Sequence, residues 1–472
     1  MAIVHLFQVG TFEQHGLLSI AAVCRRAGHD VRLAAIRDPR QVAAAVAGAG
    51  AAVAGFSATT GMHRDVLRAA AAVKDRTGAL VVLGGPHATA CPGVVEAPGI
   101  DIVCRGEGEA AVLELLDEVD GRRAPGPIAN LIRKGDVIEA APLRKPETQL
   151  DALPYVDREL YHAAVGRSGA PMRYFLTGRG CPFSCTYCLG PTMRELFEGP
   201  PVRLRSVGHV IGEICEVRER WGLESVLLGD DIFGLDKAWA SAFLARYRRE
   251  IGLPLVCHLR VGTFDGAFLE ELRAAGCRML SFGIESGSDR VRREIMQRNI
   301  SHEEIVAAAR LVKEAGIALE TTNIVGLPTE TLDEAFDTVA INRACRTDLV
   351  SVSVFQPYPG TALARRAEAD GLLPADYVER IDRTYFEGSP LRMPGIEQLV
   401  NLHKFFALLV AAPWLAPLVR LLIRCRPNPL FTVVFVATHG LRSIRLYGLR
   451  GRRLWIVGAR WLTFFLRGGR AA

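Results

Sequence analysis

Arg179-Gly180-Cys181-Pro182-Phe183-Ser184-Cys185-Thr186-Tyr187-Cys188 places three cysteines within eight residues, directly after the strand-like run MRYFLT at 172–177. Three thiolates on one short loop can wrap a cubane iron–sulfur cluster and leave its fourth iron without a protein ligand. Thiolates suit zinc as well. A structural zinc site usually takes a fourth ligand from a second knuckle, and no further C-x-x-C or H-x-x-x-H pair occurs in the chain. Five more strand-like runs follow the loop: SVLLGD (225–230), LVCHLRV (255–261), MLSFGIE (279–285), LETTNIVG (319–326) and LVSVSVFQ (349–356). Helical patterns separate them near 207–220, 237–250, 267–276, 288–296, 302–316 and 332–344. Six β/α repeats predict a partial barrel with its reactive groups at the C-terminal ends of the strands.

Upstream, AIVHLF, VRLAAI, AAVAGFS, ALVVLGG and DIVCRG alternate with helical stretches near 15–27, 38–47, 62–76 and 108–119, which predicts a doubly wound parallel sheet. Ligands then bind at the carboxyl ends of strands, where small residues gather: Gly55 to Thr60, Gly84 to Thr89 and Arg105 to Glu109. Glycine there allows close backbone approach, and Ser or Thr hydroxyls bond phosphate or ring nitrogen. None of these loops is G-x-G-x-x-G or a P-loop, so a dinucleotide or nucleoside triphosphate is disfavoured. Residues 126–168 contain prolines, lack a period and read as a connector.

The C-x-x-x-C-x-x-C loop is the signature of the radical S-adenosylmethionine (SAM) superfamily, and the resemblance runs from about residue 170 to 365. It implies a [4Fe-4S] cluster on Cys181, Cys185 and Cys188. The open iron would chelate SAM, whose reductive cleavage gives a 5′-deoxyadenosyl radical. By the same resemblance Tyr187 lies against adenine, and Gly229-Asp230 stands where the family often has a glycine-rich turn touching the SAM amino group. Arg260 would pair with the SAM carboxylate, Glu285 or Ser286 would bind ribose or the methionyl amine, and Val325-Gly326 would border adenine. Gln356 to Thr361 ends the sixth strand, as substrate contact or as a proline-rich exit turn.

Residues 1 to about 125 resemble the cobalamin-binding domain that precedes many radical SAM enzymes. Ser57, Thr59, Gly84, Gly85 and Thr89 would then line the slot for the nucleotide tail. The D-x-H-x-x-G motif that holds cobalt in cobalamin mutases fails here, since the region reads Phe12-Glu13-Gln14-His15-Gly16-Leu17. Cobalt is therefore expected without a His ligand; His15 reads as a capping or solvated residue and His87 as a loop hydrogen-bonder. The combined expectation is a flavodoxin-like cobalamin domain (1–125), the connector (126–168), a partial (β/α)6 radical SAM barrel (169–385) and a helical C-terminal region (386–472). The resemblance implies a methyltransferase acting on an unactivated carbon of a small molecule, with a donor such as flavodoxin or ferredoxin. A cobalamin-using cyclase or rearrangement enzyme is the alternative in the same superfamily. A cobalamin sensor with a degenerate barrel is argued against by the intact triad.

The 472 residues are 49% hydrophobic and 23% charged, ordinary for a globular chain. Eleven scattered cysteines and a start without a basic, apolar leader predict a cytoplasmic protein with reduced thiols. The net charge of +6 is local: residues 401–472 hold twelve Lys or Arg and no Asp or Glu, leaving 45 basic against 51 acidic residues before them. Nucleic acid is therefore a minor partner class. Within that tail, FFALLVAAPWLAPLVRLLI (405–423) is broken by Pro413, Pro417 and Arg420, and NPLFTVVFVATHGL (428–441) is too short for a straight span. Arg interleaved with Trp414, Trp455, Trp461, Phe464 and Phe465 predicts helices lying at a membrane interface, which would favour a lipophilic substrate. A cap over the barrel and a transmembrane hairpin are the other readings.

Overall fold

The run IVHLFQV is buried over its central five residues, as a strand covered by helices on both faces must be, and forms β1 (Ile3–Val9). The computed structural model describes residues 1–10, 12–36, 42, 50–166 and 172–446. With β2 (Asp30–Ile36), β3 (Val53–Ser57), β4 (Leu80–Gly84) and β5 (Ile102–Cys104), β1 builds a parallel sheet in the order β2-β1-β3-β4-β5. The order turns around at β1, the position where doubly wound sheets bind ligands. Helices His15–Arg26 and Glu109–Val119 cover one face, setting Leu17, Ala21, Val112 and Leu115 on Val4, Leu6, Val53 and Val82. Helix His63–Thr77 covers the other, with Val66, Ala70 and Val73 on Phe7, Phe56 and Val81. The helix expected near 38–47 lies outside the described residues apart from Val42.

One strand escapes the sequence pattern. β6 (Leu131–Arg133) pairs antiparallel with β5 and so brings part of the span read as a connector into the first sheet. Three residues are too few for a period to register.

The second sheet contains β7 (Met172–Phe175), then, after the two-residue strands β8 (Gly178–Arg179) and β9 (Arg203–Leu204), β10 (Ser225–Leu228), β11 (Leu255–Leu259), β12 (Cys277–Glu285), β13 (Ala318–Val325) and β14 (Leu349–Val354). β7 and β10 to β14 are parallel neighbours in chain order, a curled half-barrel; β8 and β9 form a small antiparallel ribbon beside it. Helices Val207–Trp221, Lys237–Glu250, Gly266–Ala274, His302–Glu314 and Leu332–Ala344 connect the strands. The last two start on capping boxes, Ser301 with Glu304 and Thr331 with Glu334, which satisfy otherwise orphaned N–H groups. The helix expected near 288–296 is instead a π-helical turn, Val291–Ile295. The buried Arg292 side chain closes it by donating to the carbonyls of Ser286 (2.5 Å) and Ile300 (2.9 Å).

Helix Ile396–Ala411 packs Leu399, Leu402, Phe405 and Phe406 with Val350, Val352 and Val354 of β14. Pro413 and Pro417 then divide the apolar run into a turn and a short helix, Ala416–Leu422, followed by helix Pro429–Leu446. Among the described residues no helix is long and apolar enough to cross a membrane.

Buried charges join the first domain to the barrel. Arg158, whose side chain is 1% exposed, pairs with Glu213, donates to the Tyr174 carbonyl (2.8 Å) and lies 3.5 Å from Glu13. Arg205 bonds the other Glu213 oxygen (2.6 Å), and Arg173 bonds Glu13 (3.0 Å). Burial alone would raise the Glu13 carboxyl; His15, Arg158 and Arg173 outweigh it and hold it at about 2. Removing one partner of such a network leaves an uncompensated buried charge, at a cost of about 3–5 kcal/mol. Arg158→Met is therefore expected to lower the melting temperature by several degrees, whereas Arg68→Met, on an exposed helix face, leaves it unchanged.

Candidate active site at the cysteine loop

Every element around the loop after β7 contributes a bond to it. Asp230 accepts the N–H groups of Thr177 (2.8 Å) and Gly178 (2.9 Å), which sets where the chain leaves the strand. Arg194, on helix Leu189–Leu196, holds the carbonyls of Cys181 and Phe183 and the Ser184 hydroxyl. Thr186 donates its hydroxyl to Ile295 O (2.6 Å) and its N–H to Met296 O (3.1 Å), so the π-helical turn grips the loop from the other side.

Cys185 is buried, Cys181 half-buried and Cys188 exposed. Burial, followed by the Asp231 and Cys185 charges, pushes the thiols of Cys181 and Cys188 up. Cys185 meets two guanidinium groups: Arg260 Nη1 at 3.6 Å and Arg298 Nη1 at 3.9 Å from Sγ. Arg260 also stacks 3.9 Å from the Phe183 ring centre, and Arg298 donates to Gly283 O (2.6 Å). Cations on the Cys185 side and a carboxylate toward the other two polarise the site. Among the described residues no three His, Cys, Asp or Glu side chains converge tightly enough for a single metal ion. The donor chemistry of this loop fits a polynuclear iron–sulfur cluster.

The strand ends named from the sequence surround this loop. Gly229 has no room for a Cβ, which would lie 1.7 Å from the Tyr174 ring, and its carbonyl accepts the Tyr174 hydroxyl (2.6 Å). Asp230 keeps Oδ2 buried without a partner, and desolvation raises its carboxyl to about 6. Glu285 sits at a bulge of β12 with φ +65°, a strained backbone for a non-glycine residue, and burial raises its carboxyl. It accepts the Thr322 hydroxyl (3.3 Å) and lies close enough to Tyr187 and Arg298 to feel both. Ser286 is fully buried. Val325 O accepts Phe355 N–H (2.8 Å), and Gly326 N–H donates to Glu330 (2.6 Å). The exit turn is engaged too: Gln356 donates to Gly388 O (2.6 Å) and accepts Asp382 N–H (3.1 Å).

Two residues here went unnoticed in the sequence. Arg298 sits in a charged stretch whose spacing marks nothing. Glu330 looks like an ordinary residue before a helix, yet it is buried, binds the N–H groups of Gly326 and Leu327, leaves Oε1 unpartnered, and is raised by desolvation to about 8. Arg298 (Nε) and Asp230 (Oδ2) keep unpaired atoms beside the cysteine loop, and Glu330 keeps one at the Gly326 turn, the condition expected of polar ligand sites.

A second cavity, about 370 Å³, opens beside the ends of β1, β3, β4 and β5. Ser57, Gly84 and Gly85 line it with apolar Val4, Leu6, Val53 and Val82, and Gly178 and Arg179 line it from the barrel. Gly85 (φ +93°) could not carry a side chain, since a Cβ would lie 2.6 Å from Ser57 Oγ. Thr89 stands behind this wall, donating to Gly85 O (3.0 Å) and accepting Gly106 N–H (2.9 Å); Thr59 is exposed outside it. His15 is in the wall, 3.5 Å from Glu13 and edge-on to Tyr174, and burial lowers it. His87 bonds Thr60 (3.0 Å), and desolvation holds it neutral at about 3. Glu107 and Glu109, at the end of β5, both bind Arg179, two residues before the first cysteine, and Glu107 also binds Arg203. A mostly apolar cavity edged by glycines and a Ser hydroxyl suits the nucleotide tail of cobalamin.

The radical SAM superfamily model matches residues 175–340 and the B12 binding domain model residues 9–116. The uncharacterized methyltransferase PH0819 of Pyrococcus horikoshii is 30% identical over 327 residues, covering 68% of this chain and 70% of that one. In fold the chain is similar to TsrM, a radical SAM methyltransferase from Kitasatospora setae solved with tryptophan and a SAM analogue. Their TM-score is 0.66 at 20% identity, over 79% of this chain and 78% of that one. It is also similar to OxsB, a cobalamin-dependent radical SAM enzyme, with a TM-score of 0.66 at 14% identity over 99% of this chain and 75% of that one. The chain belongs to the radical SAM enzymes that carry an N-terminal cobalamin-binding domain. Its cofactors are a [4Fe-4S] cluster, SAM and cobalamin.

Replacing Cys181, Cys185 and Cys188 together with Ala is expected to reduce iron and sulfide to background in anaerobically reconstituted protein and to abolish its brown absorbance, because none of the other eight cysteines shares so short a loop. Retention of about four irons per chain would refute this assignment.

The raised Glu330 carboxyl has a defined pH signature. A folded value of about 8 against the usual 4.5 means that its contribution to stability is whole below pH 4.5 and is lost as pH rises through 8. Without SAM, the melting temperature of the wild type should therefore fall relative to Glu330→Gln between pH 5 and pH 9. Parallel curves would show that burial does not raise this carboxyl.

Proposed function

We propose that the enzyme is a methyltransferase that places a methyl group on an unactivated carbon of a small, lipophilic molecule. The observation that carries this reading is the common wall of the two sites. Gly178 and Arg179 line the cobalamin-type cavity and stand three and two residues before Cys181, so residues that would face cobalamin lead directly into the loop that would hold the cluster. Bound together, the cluster and SAM supply a hydrogen-abstracting radical and cobalamin carries the methyl group.

The chain's own residues hold and shield these groups. Cys181, Cys185 and Cys188 bind iron, and the Arg260 and Arg298 guanidiniums offset thiolate charge while offering donors to a SAM carboxylate. Glu285 or Ser286 would bind the ribose or the methionyl amine and Tyr187 would lie against adenine, with Gly229, Val325 and Gly326 as backbone walls. Asp230 keeps the start of the loop in place. Ser57, Gly84 and Gly85 would line the nucleotide slot, with Thr89 as support. The exposed Cys188 edge of the loop is the side on which a reduced flavodoxin or ferredoxin would approach. The lipophilic character of the substrate rests on the C-terminal surface described below.

Reduced, cobalamin-loaded protein given SAM and cell-extracted small molecules should form S-adenosylhomocysteine alongside 5′-deoxyadenosine, and protein without cobalamin should lose the former. Formation of 5′-deoxyadenosine alone would reject methyl transfer in favour of rearrangement or cyclisation.

A further inference from the structure

The described part of the C-terminal region has two unlike faces. One belongs to the core: Val419, Ile423 and Phe431 join Phe405 and Leu409 against β14, and Asn401 pins the link between the helices through Ile423 O (3.0 Å) and Cys425 O (2.8 Å). On the other face Trp414, Leu418 and Leu421 follow one another at helical spacing, 77%, 52% and 61% exposed, and Leu430 and Val433 continue the pattern on the next helix. Among the described residues, five of the ten exposed large apolar side chains thus fall within residues 414–433, whereas Met1, Phe12, Val119, Val137 and Tyr385 are scattered. An apolar group this dense marks a binding surface.

Charge selects the occupant. Arg424 and Arg426 are exposed on the link between the two helices, and no Asp or Glu follows Glu397 anywhere in the sequence. Arg420 is different: it turns back to Asp333 (2.9 Å) and the Phe336 ring, and serves the cap. A second copy bound about a two-fold axis would set these arginines against each other with no nearby carboxylate of the same segment to meet them. We propose that residues 414–433 form a docking face for an anionic lipid surface, with Trp414, Leu418, Leu421, Leu430 and Val433 entering the headgroup boundary and Arg424 and Arg426 meeting lipid phosphates. This surface lies outside both cofactor sites, so its test is independent of the methyl-transfer reading.

Full-length protein should co-sediment with vesicles of phosphatidylcholine and phosphatidylglycerol at least tenfold better than with phosphatidylcholine alone, and raised salt should weaken the difference. The variant Trp414→Ala/Leu418→Gln/Leu421→Gln should lose at least tenfold in binding with its melting temperature and iron content unchanged, since these side chains face solvent. Arg424→Gln/Arg426→Gln should lose the preference for anionic vesicles and keep the weaker neutral binding. Wild-type protein that stays in the supernatant with both vesicles, or a triple variant that sediments like wild type, overturns the proposal. So does a dimer in light scattering that the triple variant abolishes, which would assign the face to a second copy.

Discussion

A loop that offers three thiolates to one cluster must hold them together against their mutual repulsion, and this electrostatic demand organises the neighbourhood of residues 181–188. Arg260 and Arg298 come from different parts of the chain, the end of β11 and the segment beyond β12, yet both reach Cys185. Arg298 can do so because Arg292 closes the π-helical turn before it, and that turn in turn receives the Thr186 hydroxyl. On the opposite side Asp230 accepts the two N–H groups that begin the loop and stays poised near pH 6, so its grip is itself sensitive to burial. The loop is held by polar bonds more than by apolar contact, which suits a segment whose interior must receive a cluster.

The same economy operates between the domains. Buried ion pairs seldom add net stability, because desolvation offsets the attraction, but they fix register where greasy surfaces would slide. Glu13, Arg158, Glu213 and Arg205 form one such lock; Glu107 and Glu109 with Arg179, only half-buried, form a looser second tie that ends two residues from Cys181. The second tie joins the end of β5 to the chain that enters the cluster loop. A cofactor pair that must meet at a set distance needs this kind of directional tie.

Both sheets were legible in the sequence because buried parallel strands are long apolar runs and the cysteine spacing has few chemical meanings. β6 was not, since three residues carry no period, and neither was the π-helical turn, whose geometry is set by Arg292 reaching carbonyls six and eight residues away. At the site, spacing marks ligands that act from one loop but not groups assembled from several. Arg298 and Glu330 belong to the second kind: their importance appears only as a guanidinium at a sulfur and a buried carboxyl. Glu107 and Glu109 were read as part of a ligand loop; the structure keeps both in the cavity lining and gives them Arg179 as a partner, a pairing that composition cannot show.

Composition is equally silent on which side of an apolar helix faces the core. Phe405 and Trp414 come from one hydrophobic run, but Phe405 is buried beside β14 while Trp414 is 77% exposed, because Pro413 ends the helix and turns the chain outward between them. The cap and interface readings of the tail are therefore compatible. The first helix packs on β14 at the barrel's edge, and only a segment anchored there could present Leu418 and Leu421 at fixed spacing to an outside surface. An apolar patch on a free tail would collapse onto the nearest groove; on a tail pinned at Asn401 it stays available.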